Sequence, residues 1–476
     1  MGKYSFFITR ADKKMEIRFT DKSLLLLDLC PLLIYNILIM KKRYYIFTYG
    51  CQMNVHESEK IAGLLRKIGY EECSSPEEAN VIVFNTCCIR DTAEKKILGN
   101  IGDVKHVKKN NPDLIVAVVG CMTQQSGAAE SLRKKFPFVN IVLGTNNLDE
   151  LPKFVIELEN KWVKAEISVP TDDNPEICED TPVFRTSGTN AWVNIMYGCN
   201  NFCTYCIVPY VRGRERSRSP EAIISEVKQL LSEGYKEITL LGQNVDSYSY
   251  GEYDFSYILE RVADLGGKYR IRFMTSHPKD FNGKVIDIIK SSPNICNNIH
   301  LPVQSGSNRI LQLMNRHYTR ERYLEIIDEI YSKIPSVGIT SDIMVGFPTE
   351  TDEDFRDTLS LVKQVRYSNA FTFVYSPRNG TVAAKMEQLP AEVKRERIKE
   401  LVALQNAISA DKSIDYIGKT EEILIEDVNP KKRGSVCGRT ESGRLVTFPG
   451  EASDIGKFVN VKITAARSSA LLGVIE

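Results

Sequence analysis

The sequence has almost no excess of either charge. Its 476 residues include 62 Lys and Arg against 61 Asp and Glu, which gives a formal net charge of +1. This balance excludes a protein that binds nucleic acid through its overall charge, so any such contact must come from local basic patches. The sequence also lacks a fixed-period repeat and a low-complexity block, which excludes a repeat protein.

The N-terminal region lacks an uninterrupted apolar run. Leu24–Met40 is apolar, but an aspartate, a proline and an asparagine interrupt it, whereas a membrane span needs about 18 clean residues. The run also lies too far from the terminus, behind acidic and aromatic residues, for a signal peptide. We interpret residues 1–41 as an extended start without a domain, the functional protein beginning near Met40. A membrane anchor is the alternative.

No signal peptide precedes the 12 cysteines, which argues against a disulfide framework. Thiols kept for metal in a reducing cytosol fit the sequence better. The chain is long enough for two to four domains, and its 43% hydrophobic content supports proper cores. We therefore expect a multidomain cytoplasmic protein without a membrane segment.

In residues 42–160, short β-rich runs alternate with helical patterns. This alternation, with short connections, predicts an open parallel α/β sheet over residues 42–160. The polar residues 161–190 are predicted to be a linker. The predicted strands of the sheet are Tyr44–Tyr49, Val81–Asn85, Leu114–Val119 and Asn140–Leu143.

Six further strand-like runs, each followed by a helical stretch, occupy residues 191–412. Six βα units predict a partial (β/α)6 barrel, with chemistry at the carboxyl ends of its strands. Residues 413–476 change to short β-like runs separated by Gly and Asn, which predicts a small all-β, OB-like barrel. Basic residues on its turns favour RNA binding, with a solvated charged surface as the alternative: Lys431, Lys432, Arg433, Arg439 and Arg444.

Three cysteines follow the first predicted barrel strand with the spacing C-x3-C-x2-C. We call Cys199, Cys203 and Cys206 the loop set. Thiolates bind zinc, copper(I) or iron–sulfur clusters. Structural zinc needs a fourth ligand, yet no Cys or His follows until His277, so zinc is the weaker alternative. A 4Fe-4S cluster held by three cysteines keeps one iron open for a ligand that is not protein.

A second set of cysteines is spread along the predicted N-terminal sheet. Cys51, Cys87 and Cys121, here called the sheet-edge set, each follow a predicted strand. Because the carboxyl ends of parallel strands meet at one edge, we expect these thiols to converge in a second incomplete cluster site. Three buried, hydrophobe-like cysteines are the alternative. Cys88 is a candidate substitute for Cys87, although its side chain is expected to point away from that of Cys87.

Polar and basic residues surround the predicted carboxyl ends of the barrel strands. Four arginines between residues 212 and 218 can meet phosphate or carboxylate, or form a solvated loop before a helix start at Ser219 and Pro220. Loops near residues 242–248, 276–278 and 300–306 present amide, carboxyl and imidazole groups. Such residues can hold a cofactor or simply form turns.

In these motifs the chain resembles the methylthiotransferase family of the radical S-adenosylmethionine superfamily. The resemblance extends from about residue 42 to residue 476 and is specific to the branch that acts on isopentenyladenosine in tRNA. It is carried by Gly50-Cys51-Gln52-Met53-Asn54, by Gly198 to Arg218 and by Gly242-Gln243-Asn244-Val245-Asp246-Ser247-Tyr248. Cys88, where the family usually has a small residue, and residues 1–40 depart from its pattern.

The resemblance implies two 4Fe-4S clusters and two molecules of S-adenosylmethionine per turnover. The loop set would bind the cluster that exchanges with S-adenosylmethionine, and the sheet-edge set would bind the auxiliary cluster. No further catalytic side chain is implied. The implied reaction is methylthiolation at C2 of N(6)-isopentenyladenosine at position 37 of tRNA, next to the anticodon. The same chemistry on threonylcarbamoyladenosine in tRNA or on a ribosomal-protein aspartate stays open.

The resemblance also implies partners and a role for each domain. Residues 413–476 would be a TRAM domain that binds RNA, and the partner would be tRNA bearing isopentenyladenosine. A cytosolic donor such as a flavodoxin or ferredoxin would supply electrons to a monomeric enzyme that does not bind membranes. An alternative from another class is a non-catalytic RNA-binding protein with zinc or iron staples.

Overall fold

The computed structural model describes residues 5–10, 13–18, 42–88, 91–170, 177–179, 181–185, 188–467 and 470–476. Ser5–Arg10 and Lys13–Arg18 pair as an antiparallel hairpin, which the sequence analysis did not predict for residues 1–41. The apolar run Leu24–Met40 lies outside the described residues. Within the described ranges, no helix is both long and apolar enough to cross a membrane.

The N-terminal sheet has six parallel strands. The four predicted strands are confirmed as its centre, and two three-residue strands extend its edges. One of them, Glu166–Ser168, lies in the segment expected to be a linker, and three residues are too few to show a period in the sequence. The spatial order is Tyr70–Glu72, Lys42–Thr48, Val81–Thr86, Ile115–Gly120, Ile141–Leu143 and Glu166–Ser168.

Helices cover both faces of this sheet, because successive strand residues point to opposite sides. Ile82 and Val118 pack into one apolar cluster with Ile97, whereas Val83 and Ala117 pack into another on the opposite face. The central strands are therefore buried on both sides, as is usual for parallel sheets. The helices are Gln52–Lys67, Asp91–Asn110, Ala128–Lys135 and Leu151–Glu159.

The central domain is an incomplete barrel of six parallel strands, as predicted. Two three-stranded groups lie side by side, and a bridge between Ile271 and Ile295 joins them. No pairing between the first and the last strand is seen in the described part of the chain, so the barrel stays open on one side. The strands in order are Asn190–Asn194, Glu237–Leu241, Arg270–Phe273, Asn298–His300, Gly338–Val345 and Asn369–Val374.

The helices of the central domain pack outside the strands around a large apolar core. The predicted start at Ser219 is confirmed, since its side chain accepts a hydrogen bond from the Ala222 amide and Pro220 opens the helix. The helices are Val208–Arg212, Pro220–Ser232, Phe255–Ala263, Gly283–Ser291, Asn308–Leu313, Arg320–Lys333, Asp352–Val365 and Ala391–Ile414. Short antiparallel pairs join Met196–Tyr197 to Arg216–Ser217 and Ser249–Tyr250 to Tyr253–Asp254.

The C-terminal domain is a closed five-stranded barrel, which confirms the predicted small all-β fold. Closure pairs every edge, and the interior is filled by residues such as Ile423, Val446 and Phe448. The strands in spatial order are Thr420–Val428, Ser435–Arg439, Leu445–Pro449, Ala470–Ile475 and Phe458–Ala466.

This small barrel docks on the amino-terminal ends of the central strands. Arg270 donates to the carbonyl oxygens of Arg439 and Glu422, at 2.6 and 2.7 Å. The approach is closest at Gly338, where an added Cβ would lie 2.0 Å from the Ser442 carbonyl oxygen. The opposite, carboxyl end of the central barrel is left for the cysteine loop.

Candidate iron–sulfur site

The loop set lies between the short strand Met196–Tyr197 and the helix Val208–Arg212. Gly198 has a φ of +77°, and a Cβ there would lie 1.9 Å from the Arg214 carbonyl oxygen, so the turn requires glycine. The Cys199 amide donates to the Gly213 carbonyl at 3.2 Å, and the Cys206 amide to the Cys203 carbonyl at 2.9 Å. The backbone thus folds back on itself and brings the three cysteines into one short loop.

Charged and aromatic side chains enclose the loop set. Arg316 is buried, and its Nη1 donates to the Cys203 sulfur at 3.5 Å. Burial raises the pKa of the Cys199 thiol to about 11 and that of Cys206 to about 12. Such thiols lose their protons when they bind a metal centre, because the metal favours the thiolate. The surroundings therefore suit a cluster better than a free thiolate.

The sheet-edge set converges at the carboxyl edge of the N-terminal sheet, as the strand order requires. Cys51 directly precedes the helix Gln52–Lys67, and Cys87 follows the strand Val81–Thr86. A Cβ on Gly50 would lie 2.8 Å from the Cys87 sulfur, so these chain segments are in contact. Cys121 follows the neighbouring strand and is buried.

Cys88 lies beside Cys121 of the sheet-edge set. A hydrogen bond from its thiol, with help from the charge of Arg212, lowers the pKa of Cys121. The alternation of side chains holds only inside a strand, and the strand ends at Thr86. Cys88 therefore reaches Cys121, and its expected direction away from Cys87 stays a prediction.

The segment that follows the loop set packs against part of the sheet edge across the boundary of the domains. Cys88 and Cys121 of the N-terminal domain pack with Ile207 and Val211, which come directly after the loop set. Thr145 also donates to the Val211 carbonyl oxygen at 2.6 Å. The helix that follows the loop set therefore lies against the carboxyl edge of the N-terminal sheet, beside Cys121.

The spacing of the thiols does not suit a single metal ion. Among the residues that the structure describes, no group of three or more Cys, His, Asp or Glu side chains could hold one ion. The cysteines of a 4Fe-4S cluster each bind a different iron, so their sulfurs stand farther apart than the ligands of one ion. In this respect both cysteine sets differ from the closed tetrahedral site of structural zinc.

Comparison with known families divides the chain into three parts. The radical SAM superfamily matches residues 193–362, and the TRAM domain matches residues 415–475. The uncharacterized protein family UPF0004 matches residues 43–144, the part with the sheet-edge set.

Similar proteins cover nearly the whole chain. The tRNA-2-methylthio-N(6)-dimethylallyladenosine synthase of Clostridium botulinum (strain Okra / Type B1) is 52% identical over 434 residues, which cover 90% of this chain and 96% of that protein. The protein of the same name from Clostridium beijerinckii is 50% identical over 440 residues, covering 92% and 96%. The chain belongs to this family of tRNA methylthiotransferases.

A solved structure shares the fold of this methylthiotransferase at low identity. The radical S-adenosylmethionine methyltransferase TsrM from Kitasatospora setae, with cobalamin and a [4Fe-4S] cluster bound, superposes with a TM-score of 0.54 at 12% identity. The match covers 72% of this chain and 77% of that chain. It supports the arrangement of the strands and carries no argument about substrate.

Buried polar atoms without hydrogen-bond partners gather at the carboxyl end of the central barrel of this methylthiotransferase. Each would be destabilising by about 1–3 kcal/mol if it stayed unpaired. A ligand with several polar groups, such as S-adenosylmethionine, fits this mouth beside the loop set. Among the described residues, the atoms are Asn194 Oδ1, Gln243 Oε1, Asn244 Oδ1 and His277 Nε2.

Several predicted basic residues have structural partners instead of a ligand. Arg218 is buried and donates to Glu179 at 2.5 Å and Glu226 at 2.7 Å, so it belongs neither to a phosphate patch nor to a solvated loop. Arg444, expected on an RNA-binding turn, is buried and donates to Ser413 at the domain boundary. Burial of these side chains depends on distant contacts that local sequence does not reveal.

Sequence reasoning missed Arg316, the cation of the loop set. It lies 113 residues from Cys203 along the chain. Its Nη2 donates to the Pro302 carbonyl oxygen at 2.9 Å and its Nε to the Tyr318 hydroxyl at 3.1 Å. No local pattern marks it, since it follows an ordinary helix and precedes another.

Proposed function

We propose that this protein methylthiolates C2 of N(6)-isopentenyladenosine at position 37 of tRNA, with two 4Fe-4S clusters and S-adenosylmethionine as cofactors. The observation that carries the proposal is the packing of Ile207 and Val211, which follow the loop set, against Cys88 and Cys121 at the sheet edge. Two incomplete cluster sites on either side of one domain boundary suit a reaction in which one site starts radical chemistry and the other holds sulfur. The relatives named as tRNA methylthiotransferases support the choice of substrate.

The loop set would hold the cluster that takes S-adenosylmethionine, and the sheet-edge set would hold the auxiliary cluster. When bound, these groups supply one-electron cleavage of S-adenosylmethionine and a site for the transferred sulfur. Acid–base catalysis has little to act on at an unactivated aromatic C–H bond. This agrees with a site built from two thiol sets and without a catalytic dyad.

The protein's own side chains orient the loop set and keep it dry. Arg316 donates to the Cys203 sulfur and to a barrel carbonyl, which fixes the loop against the strand ends. Tyr205 packs against the apolar group that includes Phe347, between the loop and the barrel. A site that excludes water protects a reactive intermediate from side reactions.

The closed C-terminal barrel would contact the tRNA through its free turn. Lys431, Lys432 and Arg433 are exposed, unlike Arg444, and can reach phosphates. A flavodoxin or ferredoxin would supply the electrons to a monomeric, cytoplasmic enzyme. Loss of affinity for tRNA in a variant with all three residues changed to Ala would support this assignment.

The deciding experiment is mass spectrometry of tRNA nucleosides after anaerobic reaction with reductant and S-adenosylmethionine. We expect a methylthio product on prenylated tRNA and none on unprenylated tRNA. The same assay on threonylcarbamoylated tRNA and on ribosomal protein tests the sister substrates. Absence of product on prenylated tRNA would refute the proposed substrate.

Iron and sulfide analysis separates the proposal from a non-catalytic, metal-stapled RNA-binding protein. Two clusters predict about eight iron atoms and about eight acid-labile sulfides per chain. About one zinc with no labile sulfide would end the radical proposal.

A further inference from the structure

A buried arginine of the central domain reaches across the domain boundary to the N-terminal domain. Arg212 ends the helix Val208–Arg212 just after the loop set, and only 7% of it is exposed. Its Nη2 donates to Asn54 Oδ1 at 3.2 Å, and its Nη1 lies 3.8 Å from Glu57 Oε1. Arg212 is thus part of the central domain by sequence, but its guanidinium is bound by the N-terminal domain.

Asn54, the partner of Arg212, is itself fixed at the sheet edge. Its Nδ2 donates to the Tyr49 carbonyl oxygen at 2.7 Å and to the Thr86 carbonyl oxygen at 2.9 Å. These carbonyls lie just before two cysteines of the sheet-edge set. The side-chain oxygen that remains is directed to Arg212, so the arginine is held in register with both strand ends.

The same guanidinium lies beside the sheet-edge set. Val211, the residue before it, packs with Cys88 and Cys121, and the charge of Arg212 lowers the pKa of Cys121. The 3.8 Å separation from Glu57 is longer than a charge-assisted hydrogen bond of about 2.7–2.9 Å. The carboxylate therefore balances the cation without occupying all of its donors, and N–H groups remain for sulfur.

We propose that Arg212 is a positioning residue that couples the two sites, fixing the end of the cysteine loop to the sheet edge and raising the reduction potential of the cluster there. This inference rests on the proposed function, since it needs a cluster on the sheet-edge set. Positive charge and hydrogen bonds to cluster sulfur stabilise the reduced state. A lysine keeps the charge but cannot donate to Asn54 and a thiol from one planar fork.

The test measures the sheet-edge cluster alone, in the full chain with the loop set changed to Ala. Arg212→Met, Arg212→Lys and the control Arg214→Met are compared by anaerobic redox titration followed by electron paramagnetic resonance. Arg214 is an apt control because it lies in the same loop but is exposed, with its guanidinium 4.5 Å from the Phe202 ring.

We expect Arg212→Met to shift the midpoint potential to a more negative value, Arg212→Lys to shift it less, and Arg214→Met to leave it unchanged. A purely structural role would not move the potential in this graded way. Equal potentials for Arg212→Met and Arg214→Met would overturn the proposal.

Hydrogen–deuterium exchange on the iron-free full chain covers the case in which Arg212→Met does not hold a cluster. We expect faster exchange in residues 52–67 and 207–212 for Arg212→Met but not for Arg214→Met. Unchanged protection in both would overturn the coupling of the domains. Neither measurement uses tRNA, and an unsubstituted chain without an iron–sulfur signal would refute the proposed function instead.

Discussion

The two ends of the central barrel differ in what their buried polar groups face. At the amino end, Arg272 pairs with Glu237 at 2.9 Å and donates to the carbonyl oxygens of Thr440 and Glu441 in the C-terminal barrel. At the carboxyl end, buried polar atoms such as Asn244 Oδ1 and His277 Nε2 lack partners among the described residues and lie at the strand ends near the cysteine loop, whereas an unpaired atom near the amino end, Arg444 Nε, lies at the boundary with the C-terminal barrel.

Along the barrel axis, the contacts that hold the domains together therefore lie at one end, and the atoms that can bind a ligand lie at the other. Charges that have protein partners hold domains together, whereas unpaired atoms at the ends of the strands suit a ligand that the protein binds. The cysteines of the loop set lie at the same end as the unpaired atoms. Changes at the two ends should therefore have effects that can be told apart.

The largest expected effect comes from breaking the carboxyl end. Cys203→Ala should abolish cleavage of S-adenosylmethionine and leave the sheet-edge cluster assembled, whereas Cys87→Ala should keep cleavage and lose methylthiolation. Electron paramagnetic resonance and product analysis check both. The exposed Cys178→Ala is the control and should keep both activities. A fully active Cys87→Ala would mean that Cys88 replaces it or that the second cluster is dispensable.

A substitution at the amino end should lower the free energy of unfolding and leave the iron content unchanged. Arg272→Met leaves Glu237 buried without its partner, which destabilises by about 3–5 kcal/mol. Urea unfolding and iron content report the two effects. The exposed pair Arg322–Glu325 provides the control, since Arg322→Met should change stability by less than about 1 kcal/mol. Equal losses in both variants would remove the contrast between the ends.

The buried carboxyl group of Asp246, at the carboxyl end of the barrel, predicts that stability depends on pH. Burial raises the pKa of Asp246 to about 7, where it accepts from the His277 amide and the Ser276 hydroxyl. The folded protein then binds the proton more tightly than the unfolded chain, so stability falls as pH rises from about 4 to 7.

Asp246→Asn removes the carboxylate whose burial becomes unfavourable as the pH rises from about 4 to 7. We expect the variant to gain on the order of 2 kcal/mol over the parent at pH 8, and much less at pH 4.5. Urea unfolding at both pH values measures the difference. The exposed Asp328→Asn should show the same small change at both. A gain that does not depend on pH would contradict the assignment.

The smallest effects sharpen the comparison between the two cysteine sets. Gly198→Ala places a Cβ against the Arg214 carbonyl, and Gly50→Ala places one against the Cys87 sulfur. Each should destabilise by about 1–3 kcal/mol and release iron from its own set only. Gly69 has a φ of +88° with no atom within 4 Å among the described residues, so Gly69→Ala tests backbone strain alone and should keep all iron.

The strand pattern and the cysteine positions could be predicted because they depend on local sequence. Buried runs such as Val81–Thr86 and Ile115–Gly120 are apolar throughout, and a cysteine follows each. Three-residue edge strands such as Tyr70–Glu72 were missed, since so short a run carries no period. The roles of the cysteines as cluster ligands stay predictions.

The arginines could not be assigned from the sequence. Arg212, Arg218 and Arg214 lie within seven residues, yet the first two are buried with different partners and the third is exposed. Arg212 donates to a residue 158 positions away, whereas Arg218 pairs with Glu179, 39 positions away, and with Glu226, 8 positions away. A local pattern of charge does not show which side chain will be desolvated.

The sequence by itself determined most strands of the three domains, the two sets of three thiols and the family to which the chain belongs. Tertiary structure alone decided that the helix after the loop set packs against Cys121, that Cys88 lies beside them and that Arg212 donates to Asn54 across the domain boundary. Spacing along a chain fixes which strand end a residue occupies. Burial and pairing depend on which distant surfaces meet, and only the folded chain brings those surfaces together.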